Sequence, residues 1–151
     1  MPTVKEFTEL EVWRLSRDLA KMVYTDLLSV EHIKDFSLKD QMNRSSGSVM
    51  DNIAEGFGRG GNKEFRQYLS IAKGSLFELE SQLYRAFDRG YINDIQLDAY
   101  RRKISTIKGK LIAFSNYLVK SDLKGWKYKV EEDAGVYVGP KDLENSDDEL
   151  D

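Results

Sequence analysis

The sequence predicts an all-α protein: an antiparallel, up-down-up-down four-helix bundle followed by an irregular or disordered acidic tail. Three observations carry that prediction. Proline occurs only at Pro2 and Pro140, so no residue between them is barred from a helix interior. Four stretches repeat apolar residues at spacings of three and four, the period of an amphipathic helix. The connections between them are short, about four to nine residues, which forces neighbouring helices to run antiparallel.

The first helix is expected from about Glu9 to Leu28. Val12, Leu15, Leu19 and Met22 form one stripe, with Trp13, Ala20, Val23 and Leu27 beside it. Thr8 reads as its N-cap, with Glu11 completing a capping box. The second runs from about Leu38 to Phe57 on Met42, Ser46, Val49 and Ile53, with Ser37 as N-cap and Asp40 in the first turn. Its SSGS run at 45–48 lets another helix come close, although Gly47 costs about 1 kcal/mol of helix propensity relative to alanine. The third runs from about Lys63 to Arg89 on Phe65, Leu69, Ala72, Leu76, Leu79, Leu83 and Ala86, with Asn62 as N-cap and Gly90 as stop. The fourth runs from about Asp94 to Lys120 on Leu97, Tyr100, Ile104, Ile107, Leu111, Phe114 and Leu118, with Asn93 and Gln96 as a capping box. A sustained seven-residue repeat favours packing at about 20°.

A chain of 151 residues suits one domain. The bundle is assigned to residues 1–120 and a C-terminal extension to 121–151. In the extension, GWKYKVEEDAGVYVG alternates polar and apolar residues like a short hairpin or a strand, and LENSDDELD reads as disordered. Charge divides at the same place. Residues 131–151 hold nine acidic residues and one lysine, a net −8, whereas residues 1–130 hold 22 Lys and Arg against 17 Asp and Glu, a net +5. With no cysteine, disulfides, thiolate metal sites and cysteine nucleophiles are excluded. No apolar run nears the roughly 18 residues of a membrane span, and MPTVKEFTEL lacks the apolar core of a signal peptide. A cytoplasmic protein without membrane partners is expected.

NIAEGFGRGG, residues 52–61, contains G-x-G-x-x-G at Gly56, Gly58 and Gly61. A dinucleotide fingerprint needs a strand before it, yet VMDNIAE continues a helical spacing, and Gly61 is followed by Asn62 rather than the lysine of a phosphate loop. The cluster therefore reads as a bend, with Gly56 and Gly58 ending the second helix and Gly60 and Gly61 turning the chain. Free N–H groups at the start of the third helix, beside Arg59, Lys63 and Arg66, make an anion site conceivable there.

No catalytic, cofactor-binding or metal-binding residues are assigned. His32, the single histidine, lies in a polar connection and has no Glu three residues before it, so a carboxylate-bridged di-metal bundle is not indicated. Asp51, Glu55, Glu78 and Glu80 read as helix-surface or inter-helix partners, and Asn52 with Glu55 as a polar contact that sets helix register. Phe77 and Tyr84 on the third helix, and Ile112 and Val119 on the fourth, lie about 100° round from the core stripes. A bundle helix normally carries one stripe of about that width. The four residues are candidates for a self-association face, with Trp126 and Tyr128 of the extension as the alternative cover. On the fourth helix Arg101 and Lys108 share one face and Lys103 and Lys110 another, and with Arg102 they form a basic ridge. With Arg59, Lys63 and Arg66 they are the candidate contacts to nucleic-acid phosphates. No aromatic residues interleave with the ridge as base-stacking platforms require.

FTELEVWRLSRDLA at 7–20, NIAEGFGRGGNKEFRQYLSIAKGSLFELESQL at 52–83, and the Gly90-Tyr91-Ile92 that follows resemble the four-helix bundle proteins linked to intervening sequences of 23S ribosomal RNA genes. The resemblance covers roughly residues 5–120 and departs at Val49-Met50-Asp51, where many members read like Ile-Pro-Ser. It implies a ring-like homopentamer with no enzymatic activity. The similar accessory proteins of diversity-generating retroelements add nucleic acid, or an enzyme acting on it, as a partner class. The resulting expectation is a non-enzymatic homo-oligomeric scaffold, with a nucleic-acid-binding accessory protein as the alternative and an enzyme using helix carboxylates as the remaining class.

Overall fold

The computed structural model of the chain describes residues 4–124. A 3₁₀ turn at Phe7–Glu9 leads into helix α1 (Glu11–Val23) and a π-helical turn (Tyr24–Leu28). Helices α2 (Phe36–Gly58), α3 (Asn62–Asp88) and α4 (Asp94–Lys124) follow, and no strand occurs among the described residues. The expected hairpin around Trp126–Val138 and the expected disorder of 143–151 lie outside the described residues.

Each helix packs on its two neighbours in the ring α1–α2–α3–α4. Cross-helix partners show that neighbours run antiparallel. Ser45, Ser48 and Glu55 of α2 meet Gln82, Ser75 and Tyr68 of α3, so one sequence number rises as the other falls. Asp18 and Glu11 of α1 meet Lys103 and Lys110 of α4 in the same sense.

The two long stripes behave as their spacing demands. Every stripe residue from Phe65 to Ala86 on α3 and from Leu97 to Leu118 on α4 is buried, as are Met42, Ser46, Val49 and Ile53 on α2. Each large apolar side chain so buried contributes about 1.5–3 kcal/mol. Phe65 and Phe114, both buried, meet edge to face at 5.3 Å between the start of α3 and α4. The first helix differs from expectation. Its buried line is Val12, Ser16, Leu19, Val23 and Leu27, between the two stripes read from the sequence, and Leu15 and Met22 are only half-buried. Ser16 enters the core because its hydroxyl donates to the Val12 carbonyl at 2.6 Å and so needs no water. The helix also loosens at its end, where the Ser29 amide reaches the Tyr24 carbonyl, one residue beyond the α-helical partner. Across that turn the buried Tyr100 phenol donates to Asp26 at 2.8 Å, and burial pushes its pKa up.

Several helix ends depart from the expected caps. Leu10, not Thr8, precedes α1, and Glu9 of the 3₁₀ turn accepts from the Lys5 and Glu6 amides instead. Asp35, not Ser37, caps α2 by accepting from the Leu38 amide. Gly61, not Asn62, precedes α3. Asn62 is the first helical residue and is buried, its side-chain amide donating to the Leu118 carbonyl of α4 at 3.2 Å. The Asn93–Gln96 capping box forms as expected, each side chain accepting from the other's backbone amide. Helix α4 continues four residues beyond Lys120 to Lys124, and Ser121 is buried in that added turn.

The glycine-rich segment is a bend between two helices, with α2 unbroken from Phe36 to Gly58 and no strand before it. Gly56 does not end α2. It is buried inside the helix, and a Cβ there would lie 2.6 Å from the Tyr68 Cβ and 2.9 Å from a Phe65 ring carbon. This glycine is required for the close approach of α2 to α3. Gly60, at φ 80°, makes the turn itself in a conformation open to glycine at no steric cost.

Candidate interaction surface between α3 and α4

The two flanks of α3 carry different chemistry. Toward α2 runs a seam of short polar side chains. Ser45 donates to Gln82 at 2.6 Å, Gln82 donates to Glu78 at 3.1 Å, and the Ser48 and Ser75 hydroxyls meet at 2.8 Å. Asn52 donates to the Ser48 carbonyl and hydroxyl, while Glu55 accepts from Tyr68 and Arg59. Asn52 and Glu55 thus serve separate bonds rather than one shared contact. Arg85 of α3 donates to Gln41 at 2.7 Å. At the end of the seam Asp35 accepts from Arg89 at 2.6 Å and from Tyr91 at 3.1 Å. The Arg89 guanidinium foremost, with the Leu38 amide and the Tyr91 phenol, holds the Asp35 carboxyl below its usual range.

Toward α4 the outer edge is apolar and basic. Phe77 and Tyr84 of α3 are 51% and 40% exposed, and Ile112 and Val119 of α4 are 48% and 41% exposed. Lys108 of α4 places its ammonium 4.4 Å from the centre of the Phe77 ring while pairing with Glu80 at 3.4 Å. Arg101 lies over Tyr84 at 6.0 Å. The four apolar candidates and two of the basic ones therefore share one face. Sequence reading missed the pairing because each ring and its cation sit on different helices. The signal available was the antiparallel register, since Phe77 and Tyr84 on α3 and Arg101 and Lys108 on α4 are each seven residues apart.

A groove continues along the same edge toward the start of α3. One depression, about 130 Å³, is lined by Leu69, Ser70, Lys73, Leu111, Ile112 and Ser115. The next, about 350 Å³, shares Ser70 and Ser115 and adds Lys63, Arg66 and Gln67. Neither lining includes an acidic residue.

The remaining basic candidates are elsewhere. Lys103 and Lys110 turn to the α1 side, where they pair with Asp18 at 3.6 Å and Glu11 at 3.2 Å. Arg102 pairs with Asp98 one turn before it on α4. Arg59 lies at the α2–α3 bend, bonded to Glu55 at 2.9 Å and stacked over Tyr68 at 5.3 Å. The two same-face pairs expected on the fourth helix thus take two flanks, Arg101 and Lys108 toward α3 and Lys103 and Lys110 toward α1. His32 is exposed. Among the described residues no three His, Cys, Asp or Glu side chains are grouped to hold a metal ion, and no helix is long and apolar enough to cross a membrane.

Comparison with known proteins agrees with this architecture. Among solved structures, a protein of unknown function from the S23 ribosomal protein family of Bacteroides thetaiotaomicron VPI-5482 is similar at 26% identity and a TM-score of 0.63. The match covers 69% of this chain and 97% of that one. No curated protein matches. The sequence model of the family described as 23S rRNA-intervening sequence protein matches residues 8–113, from the 3₁₀ turn through most of α4. The chain belongs to the 23S rRNA-intervening sequence protein family.

Proposed function

We propose that this protein is a non-enzymatic scaffold that works in the cytoplasm as a homo-oligomer, a pentamer, and that copies meet through the outer α3–α4 edge. The observation that carries this reading is the convergence of Phe77, Tyr84, Ile112 and Val119 on one face while the core stripes behind them are already complete. A water-facing apolar strip of this kind on a well-packed bundle marks a contact surface. Light scattering at micromolar concentration tests it. The native chain is expected at five times its mass of 17.4 kDa, and the double variant Phe77→Asp, Ile112→Asp at one. A native chain that scatters as a monomer overturns the proposal.

A second reading, binding of RNA or DNA phosphates, draws on the cations that share this edge. Arg101 and Lys108 lie over aromatic rings, and Lys63 and Arg66 line the groove beside them. Nucleic acid, or an enzyme that acts on it, is the partner class. Affinity would then fall steeply with salt as counterions are released. Absence of binding at about 50 mM salt by a chain whose tail acids are neutralised counts against it.

A further inference from the structure

We infer that the groove between Lys63 and Ile112 is a docking site for the acidic stretch 131–151 of the same chain. Three observations lead there. The groove offers lysines at 63 and 73, Arg66, and the side chains of Gln67, Ser70 and Ser115 as donors, with no acidic residue in its lining. Lys63 and Lys73 have no ion-pair partner among the described residues, in contrast to Lys103, Lys108 and Lys110. The stretch 131–151 is the most acidic of the chain, nine carboxylates against one lysine.

Placement supports the same occupant. The last described residue of α4 is Lys124, and Ser115 of the groove lies nine residues before it, about 14 Å along the helix. The groove spans Lys63 to Lys73, about 15 Å. A chain covers up to about 3.3–3.6 Å per residue, so the 27 residues after Lys124 can reach back and span it several times over. The tether holds the carboxylates at an effective concentration of order millimolar, which favours the chain's own tail over free anions. The tail then acts as a competitor for any polyanion at this edge. Occupying the groove nine-tenths of the time weakens a rival about tenfold.

Zero-length carbodiimide coupling on the full chain tests the contact, because it joins a carboxylate to a lysine only when the two touch. At low salt, adducts between residues 131–151 and Lys63 or Lys73 should exceed those to Lys21 or Lys34, which are exposed elsewhere. They should disappear near 1 M salt, where the Debye length falls to about 3 Å. When light and heavy isotope-labelled protein are unfolded and refolded together in equal amounts, so that any oligomer contains both, the adducts should be of one isotope. Adducts spread evenly over all four lysines, or joined between light and heavy chains, overturn the inference. A second measurement uses inorganic polyphosphate as probe. The full chain with its nine tail acids changed to amides should bind it about tenfold more tightly, and adding Lys63→Glu with Lys73→Glu should abolish that gain. A gain that survives the two lysine changes also overturns it. The lysine and tail changes leave Phe77, Tyr84, Ile112 and Val119 in place, so self-association, read by light scattering of the same variants, is judged separately from tail docking.

Discussion

On the side of α3 that faces α2, the helices touch through serines, a glutamine and a glycine, and the polar atoms find partners within the bundle. On the side that faces α4, the outer edge leaves rings and branched apolar side chains in water with cations above them. One helix therefore carries both an interface completed within the chain and a surface that is not. Small side chains permit close approach and leave little to expose. Large ones placed about 100° off the core stripe cannot reach the interior of the same bundle. On the function proposed above, interaction would fall to this outer edge, while stability comes from what is buried behind it.

The largest test sets two phenylalanines of one helix against each other. Phe65→Ala should cost about 3–5 kcal/mol, because the residue is fully buried against Phe114. Phe77→Ala should cost under about 1 kcal/mol, since half of that residue already faces water. Urea unfolding at protein concentrations low enough to suppress association measures both. Equal costs would erase the distinction between the buried stripe and the outer edge.

Gly56→Ala comes next. The new Cβ meets Tyr68 and Phe65, and prising the α2–α3 contact apart should cost about 1–3 kcal/mol. Alanine in place of Gly74, which has open space around it, should instead leave stability unchanged or raised by up to about 1 kcal/mol. Ser45→Ala should cost about 1–3 kcal/mol by leaving the buried Gln82 acceptor without its donor. Restoration of stability by adding Gln82→Leu would identify the unpaired group, rather than lost packing, as the cause.

The smallest effect is read in pH. A carboxyl held below its unfolded pKa of about 3.9 adds stability above that value and loses it as pH falls through the folded pKa. Asp35, held down first by Arg89, is such a group. Asp35→Asn retains a capping side chain but cannot hold the ion pair. It should be less stable than the native chain at pH 7, and the two should converge as pH falls through the lowered pKa of the folded Asp35 carboxyl. A difference independent of pH would assign Asp35 a purely geometric role.

The recurrence of apolar residues every three or four positions determined, by itself, that α2, α3 and α4 exist and which stripes they bury, because the helical period is a local property of the backbone. The same argument placed a bend in the glycine cluster at 56–61, although Gly56 lies inside α2, and set Phe77, Tyr84, Ile112 and Val119 outside the core. It misplaced three N-caps because several polar residues near each start are capable of capping, and the choice depends on where the preceding chain packs. Ser16 and Asn62 were missed in the interior because a polar side chain is buried only when a particular partner is within reach. For Ser16 that partner is its own helix, and for Asn62 it is α4. The meeting of Lys108 with Phe77 and of Arg101 with Tyr84 was decided by tertiary structure alone, whereas the helical period already set Arg101 with Lys108 and Lys103 with Lys110 on two faces. Periodicity tells how far round a helix a residue lies, and only the register of its neighbour decides what stands opposite.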